Sequence, residues 1–349
     1  MSIFFKFHNL LELEIDTKDK RTISFFMQEY QPYLVDQLSG DMPRVFLRFQ
    51  RAFLPKIIKG YTLYSHKLFA NWAYKVKIIS DQQIEIDVYG NSLSISLVHH
   101  MLLHPSLRYL SSLQGVLMLH SGAVAYGQES WLFTGYGGAG KTTTTSLLLK
   151  ALGKEGLLHA DDYVFFSPEP RTYSYLTRSH LYWDLAKWLP ALKKVLSVKE
   201  LIALWFWGKL RDASREQIKW PVRVGFDRLW QGYEHLREAT PAGVIWLEKS
   251  YDGTVSLDAF EPDTDELNKL VEMNFYEARH FLALLMKNSS IRGYEQWLDE
   301  WILRERELLR ECFSKTQSYK LKISHVSKDV TFLAELLNEI RSRAGVDQS

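Results

Sequence analysis

A glycine-rich segment at residues 135–142 has the residue types and the spacing to bind a polyphosphate. It reads GYGGAGKT and matches the pattern G-x-x-x-x-G-K-[ST]. Glycines let a backbone wrap around phosphate oxygens without Cβ clashes, so that successive N–H groups point inward. In such a loop Lys141 reaches the β- and γ-phosphates, and the Thr142 hydroxyl is offered to Mg²⁺. The predicted nucleotide-binding residues are Gly135, Tyr136, Gly137, Gly138, Ala139, Gly140, Lys141, Thr142 and Thr143.

The elements on either side of this segment agree with that interpretation. An apolar run, WLF at 131–133, precedes the loop and predicts a strand, and a good helix-forming stretch over 143–152 follows it. The start of a helix adds the positive end of its dipole to the site. A fortuitous glycine-rich turn would need no such context, and the strand–loop–helix order therefore favours a phosphate loop.

His120 is the second residue whose position suggests chemistry. Short apolar runs predict strands at 116–119, 123–126 and 131–134. If Gly127 and Gln128 form a two-residue hairpin turn, Tyr126 pairs with Glu129, and the same register places His120 opposite Gly135. The register thus predicts an imidazole beside the phosphate loop, with a purely structural histidine as the alternative.

Asp161 and Asp162 form the third element. They end a short apolar strand that follows the helix after the loop, which is where P-loop enzymes place a carboxylate that organises Mg²⁺. Adjacent side chains on a strand point to opposite faces, so the two carboxylates are expected to have different roles. The alternative is a turn, which Asp-Asp often marks.

These three elements together resemble the catalytic domain of the HPr kinase/phosphorylase family. The family has a Leu-His-Gly element on a strand, a G-D-S-G-x-G-K-S loop and an Ala-Asp-Asp, and this chain has LHSG at 119–122, the loop at 135–142 and ADD at 160–162. The resemblance covers about residues 115–166. It implies a P-loop domain of the phosphoenolpyruvate-carboxykinase-like type with a mixed, twisted sheet. It also implies Mg²⁺-dependent transfer of phosphate from ATP to a hydroxyl.

The resemblance also assigns roles to single residues. Asp162 matches the aspartate that accepts the proton, Asp161 lies near the metal, and His120 lies by the transferring phosphoryl group. Asp184 is a candidate for a second metal contact, with a helix N-terminal residue as the alternative. Among cations that could stabilise the transition state, which include Arg178 and Lys219, the late position of Arg223 fits the family best. The predicted catalytic residues are His120, Lys141, Asp162 and Arg223, and the predicted metal ligands are Thr142, Asp161 and Asp184.

Composition excludes several other classes of protein. The net charge of +2 provides no electrostatic footprint for nucleic acid. Cys312 is the single cysteine, so the chain has no intramolecular disulfide and no structural zinc site built on cysteines. No apolar run approaches the roughly 18 residues of a membrane span, and the charged N-terminus does not read as a signal peptide. We therefore expect a soluble cytoplasmic protein with no membrane partner.

The length of 349 residues predicts two domains in an α/β protein. Residues 1–105 are predicted to form a smaller N-terminal α+β domain that could recognise a substrate. Residues 106–349 are predicted to form the P-loop domain, with a tryptophan-rich helical insertion at about 183–240. Its aromatic residues would either pack in the core or form a lid that excludes water.

The sequence thus predicts a kinase that phosphorylates a hydroxyl, either a serine of a peptide or protein or a small metabolite. The expected cofactors are Mg²⁺ and ATP, with GTP as the alternative nucleotide. A homo-oligomer is compatible with the sequence. The alternative function is a regulatory or interaction protein that binds nucleotide and hydrolyses it slowly.

Overall fold

The computed structural model of the chain describes residues 1–52, 59–66, 70–183, 192–215, 220–287, 293–324 and 332–343. The strands are β1 (Ser2–Phe7), β2 (Leu11–Thr17), β3 (Leu34–Val35), β4 (Arg44–Arg51), β5 (Thr62–His66), β6 (Ala70–Ser80), β7 (Gln83–Gly90), β8 (Leu117–Leu119), β9 (Ser121–Tyr126), β10 (Glu129–Thr134), β11 (Gly156–Ala160), β12 (Tyr163–Ser167), β13 (Arg171–Tyr175), β14 (Ser179–Leu181), β15 (Val222–Val224), β16 (Glu238–Ser250), β17 (Ser256–Phe260) and β18 (Ser318–Ser324). The α-helices are α1 (Lys20–Glu29), α2 (Ser94–Val98), α3 (His104–Leu113), α4 (Lys141–Leu152), α5 (Leu192–Val195), α6 (Val198–Ala213), α7 (Phe226–Leu229), α8 (Thr264–Lys287), α9 (Tyr294–Ser314) and α10 (Phe332–Arg343).

The chain divides into two compact units, and each is assembled from three separate stretches. The first unit contains Met1–Leu119, Phe165–Arg171 and Pro262–Thr316, and the second contains His120–Val164, Thr172–Glu261 and Gln317–Ser349. The domain boundary that the sequence suggests near residue 105 stays a prediction. Strands and helices mix in both units, which confirms the expected α/β class.

The first unit is built on a mixed seven-stranded sheet with the order β3-β1-β2-β4-β7-β6-β5. The run QIEIDVYG in β7 alternates between half-buried and buried residues, as a strand with one face on a core requires. β2, β4 and β7 run parallel to one another, whereas β1 and β6 are antiparallel to their neighbours β2 and β7. Such parallel pairing joins strands that are distant in sequence, and it could not be predicted from the local pattern.

A buried ion pair joins α3 to α9 in the first unit. Arg108 Nε donates to Glu305 Oε1 at 2.8 Å, and a second Arg108 nitrogen donates to Glu305 Oε2. The indole nitrogen of Trp301 also donates to Glu305 Oε1, at 2.9 Å, and the Arg108 guanidinium lies 4.8 Å from the centre of the Phe275 ring. Both charged side chains are almost completely buried. Because each charge is compensated by the other and by hydrogen bonds, the pair is tolerated in the core.

The second unit has a mixed sheet in which the strand order is β17-β18-β16-β10-β9-β11-β13. β10, β16 and β18 are parallel, and β9 is antiparallel to β10 and to β11. The hairpin pairs Tyr126 with Glu129 and continues to Ser121 opposite Thr134. Gly127 has a φ of 61°. A two-residue hairpin turn requires a positive φ at this position, which glycine adopts without strain. The predicted turn and its register are therefore confirmed.

The core of the second unit positions the helix that follows the loop. Leu148 and Leu149 of α4 are fully buried in one apolar cluster with Trp131 and Phe133. Most of α4 is therefore covered, so its first residue, Lys141, is held at the end of β10 by packing as well as by chain connection.

The stretch predicted as a helical insertion at about 183–240 is only partly helical. It contains α5, α6 and α7 among its described residues, but it also contributes β15, which pairs with β14, and the start of β16. The expectation of a helical stretch is wrong at 222–224, where the alternating VRV favours a strand in contact with a partner. Its tryptophans do not share one environment, because Trp230 is buried while Trp205 is exposed.

The helices of the described ranges differ in length and in apolar content. Within the described ranges, none is both long enough and apolar enough to cross a bilayer.

Candidate functional site

The loop between β10 and α4 has a backbone that glycine alone adopts easily. Gly135, Gly138 and Gly140 have φ values of 149°, 81° and 105°. A Cβ on Gly135 would lie 2.8 Å from the carbonyl oxygen of Leu247, so a side chain there would force the neighbouring strand to move. The Ala139 amide donates to Tyr136 O at 2.9 Å and closes a turn inside the loop. This backbone supports the close approach of a polyphosphate.

Lys141, the first residue of α4, is buried and extends back across the loop. Its Nζ donates to Gly135 O at 2.9 Å and to Tyr136 O at 3.5 Å. The ammonium group carries a full positive charge and donor protons only, which favours an anion at this loop. Thr142 and Thr143 follow on α4 and are half-buried.

His120 directly precedes β9 and is held by three neighbours. Its Nε2 lies 3.2 Å from Asp162 Oδ1, and its ring stacks on Tyr163 with centroids 4.9 Å apart and planes at 19°. Thr134, the last residue of β10, donates from Oγ1 to His120 O at 3.3 Å. The backbone of His120 is therefore hydrogen-bonded to the side chain of the residue before Gly135, as the predicted register requires.

Asp161 and Asp162 lie in a bend between β11 and β12, and not within a strand. Strand alternation is therefore the wrong reason for their separation, although their surroundings do differ. Asp161 is buried, whereas 41% of the Asp162 side chain is exposed. The bend is fixed by the Ser121 amide, which donates to Asp162 O at 3.0 Å. The bend also packs closely against Gly122. A Cβ on Gly122 would lie 2.4 Å from Thr145 Oγ1 and 3.4 Å from Asp161 O, so a larger residue would not fit there without a shift of these neighbours.

The two carboxyl groups have opposite electrostatic shifts. Burial raises the pKa of Asp161 to about 6, and the charge of Asp162 adds to the rise, while the hydroxyls of Ser179 and Thr142 lower it. Partial loss of contact with water also acts to raise the pKa of Asp162, but the hydrogen bond and charge of His120, with the charges of His180 and Lys141, outweigh it. The pKa of Asp162 therefore falls well below its usual value, and this carboxylate is ionised at neutral pH.

A two-stranded ribbon brings the Ser179 hydroxyl and the His180 imidazole to the acidic pair. β14 pairs with β15 so that His180 lies opposite Arg223. Ser179 and His180, the neighbours that shift the two aspartates, are the first residues of β14. Neither was assigned a role from the sequence. The sequence offers one signal for His180, which is an ionisable side chain that pairs with the predicted catalytic residue Arg223. That signal becomes visible only when the pairing of β14 with β15 is known. The register places Arg223 on this ribbon.

The remaining predicted site residues have a mixed outcome. Asp184 and Lys219 lie outside the described residues. Arg178 directly precedes β14. The site residues that the structure brings together are His120, Lys141, Thr142, Asp161 and Asp162, whereas Arg223 is placed only by its pairing with His180.

The residues near Asp161 fit a divalent cation. Asp161 Oδ1 is buried and has no hydrogen-bond partner among the described residues, so one carboxylate oxygen is left to bind another group. The described part of the chain contains no group of three or more His, Cys, Asp or Glu side chains that could enclose a metal. A Mg²⁺ ion that is bound together with a nucleotide needs only one or two protein ligands, because phosphate oxygens and waters complete its shell.

The chain matches no model of a known protein family and no curated protein sequence.

Proposed function

We propose that this protein is a P-loop phosphotransferase of the HPr kinase-like type, which moves the γ-phosphoryl group of ATP to a hydroxyl with the help of Mg²⁺. The observation that carries the proposal is the contact of His120 with Asp162 at 3.2 Å, beside a carboxylate with an open oxygen and next to a glycine-rich loop. A structural turn needs none of these groups, whereas phosphoryl transfer uses each of them.

Each part of the site has a role in this proposal. The loop amides and Lys141 hold the β- and γ-phosphates, and Thr142 with Asp161 would hold the ion. Mg²⁺, when bound, supplies positive charge that offsets the charge on the phosphate oxygens. The acceptor hydroxyl hydrogen-bonds to the ionised Asp162, which orients its oxygen toward the γ-phosphorus. The new O–P bond forms as the bond to the ADP oxygen breaks, and the hydroxyl proton passes to Asp162.

The low pKa of Asp162 fits a positioning role better than strong basicity, because a lowered pKa makes a carboxylate a weaker proton acceptor. A carboxylate that is ionised at neutral pH always presents an acceptor to the hydroxyl. Phosphoryl transfer passes through a loose transition state in which positioning and charge stabilisation dominate. His120 holds Asp162 from the side, stacked on Tyr163, so the carboxylate is oriented before the substrate arrives.

The test separates binding from transfer in two variants. Asp162→Asn should keep Mg-ATP affinity in calorimetric titration while losing about 10²–10⁴-fold in transfer of ³²P from [γ-³²P]ATP to serine peptides or small alcohols. Asp161→Asn should also lose transfer, and in this variant nucleotide binding should depend less on Mg²⁺ than it does in the wild type. Asp258→Asn is the matched control, since this exposed aspartate lies on β17.

Two results would contradict the proposal. Transfer by Asp162→Asn at the wild-type rate would remove the proposed acceptor base. If the wild type yields only ADP and phosphate with every acceptor, the nucleotide-dependent switch becomes the better interpretation.

A further inference from the structure

The outer face of α6 is apolar and lies in solvent. Val198, Ile202, Trp205 and Phe206 are 72%, 60%, 51% and 50% exposed. Their spacing along the helix places them on one stripe about 100° wide at 3.6 residues per turn. Large apolar side chains often occur singly on protein surfaces, but four on one helical stripe form a patch that indicates an interaction site.

The inner face of the same helix is already packed. Leu204 and Gly208 are buried, and Trp207 stacks on Trp220 with ring centroids 5.7 Å apart. The apolar face of a helix is normally buried against a neighbouring element. Packing against the second unit therefore explains why the inner face of α6 is apolar. It does not explain why the outer face is apolar.

The charges around this outer stripe are mainly positive. Both acidic side chains of α6 are paired, Glu200 with Arg228 at 2.9 Å and Asp212 with Arg211 at 3.6 Å. Lys199 beside the stripe and Lys209 within it are exposed, and so are Lys194 and Arg215 just outside the two ends of the helix. An anionic surface with an apolar interior complements this arrangement.

We propose that the outer face of α6 binds peripherally to a membrane rich in anionic lipid. Tryptophan and phenylalanine insert at the level of the headgroups, and lysines at the edge of such a helix contact lipid phosphates. Lys209 can bury its methylene chain among the apolar residues and extend its ammonium group to the headgroups. This inference replaces the expectation of no membrane partner, and it does not depend on the proposed phosphotransfer.

A second copy of this chain fits the face less well. Symmetric dimers place the same patch against itself, so Lys209 would face an apolar stripe that carries the same lysine. Desolvating two like charges at such an interface is unfavourable. A lipid surface provides a counter-charge at the same depth instead.

The test is co-sedimentation with sucrose-loaded vesicles of phosphatidylcholine alone or mixed with phosphatidylglycerol. The wild type should bind the mixed vesicles only, and added salt should weaken binding. The variant Trp205→Ser/Phe206→Ser should bind roughly tenfold or more weakly, because it loses two inserted rings. Lys199→Glu/Lys209→Glu should also lose at least about tenfold, through charge. Tyr251→Ser is the matched control, as an exposed aromatic outside α6.

Each outcome decides the question. Loss of binding in both α6 variants, with unchanged thermal unfolding and Mg-ATP affinity, supports the proposal. Absence of wild-type binding to phosphatidylglycerol vesicles overturns it, as does binding that the two α6 variants leave unchanged. Wild-type dimers that dissociate in Trp205→Ser/Phe206→Ser, without vesicle binding, would overturn it in favour of self-association.

Discussion

Replacement of Lys141 by alanine is the most direct test of the phosphate loop. In the structure the Lys141 ammonium group donates to two loop carbonyls, those of Gly135 and Tyr136. In the proposed complex it donates to a phosphate oxygen, and a hydrogen bond to a charged group contributes about 1.5–3 kcal/mol. Each 1.4 kcal/mol is a factor of ten, so Lys141→Ala should weaken Mg-ATP binding by about 10- to 150-fold.

The same replacement has a structural effect that must be measured separately. Lys141→Ala removes the two bonds to Gly135 O and Tyr136 O, which should lower the free energy of unfolding by about 1–2 kcal/mol. Calorimetric titration should therefore be run well below the unfolding transition of the variant. Lys150→Ala is the matched control, because Lys150 is exposed in the last turn of the same helix. Equal Mg-ATP affinity in wild type and Lys141→Ala would refute the phosphate-loop interpretation.

Three further predictions follow from the contacts of the described residues. His120→Ala should lower the free energy of unfolding by about 1–2 kcal/mol, through loss of the contact with Asp162 and of the stacking on Tyr163, and should lower the phosphotransfer rate by much more than that energy accounts for. Wild-type transfer together with unfolding at a lower temperature would show that the histidine is structural. The hydrogen bond from Arg228 lowers the pKa of Glu200 from 4.5 to about 2, so its stabilisation is complete above pH 4.5 and is lost as pH falls toward 2. Glu200→Gln should flatten this part of a urea-unfolding profile against pH, and an unchanged profile would contradict the assignment. Glu305→Ala should destabilise the chain by about 3–5 kcal/mol in urea unfolding, because it leaves the Arg108 cation buried; a loss below 1 kcal/mol would contradict this.

The sequence was most informative where structure is local. The hairpin register could be predicted because a two-residue turn fixes the pairing of its strands, and Gly127 is suited to the positive φ of that turn. The helix after the loop was expected at 143–152 and begins at Lys141. Both features depend on residues within about ten positions of one another, where propensity and turn chemistry dominate.

The sequence was least informative where pairing is distant. β14 and β15 are three residues each and lie about 40 positions apart, so neither run is long enough to reveal the other. The contributions of Ser179 and His180 to the site stayed hidden for that reason. The aspartates were expected on a strand and lie in a bend, because the Ser121 amide bonds to Asp162 O from another part of the chain. The aromatic residues of 183–240 were expected either in the core or in a lid, and the exposure of Trp205 depends on which side of α6 the rest of the unit covers.

The central strand β9 explains how separate pieces of sequence reach one place. It pairs with β10 on one side, so that Ser121 lies opposite Thr134, and with β11 on the other, so that Ala123 lies opposite Ala160. The residue before β9 is His120, the residue after β10 is Gly135, and the residue after β11 is Asp161. A shift of either register by one residue would exchange the faces of the paired strand and separate these groups. The positions of the imidazole, the loop and the carboxylates are therefore consequences of the same two ladders, and a substitution that shifts β9 should alter all three together.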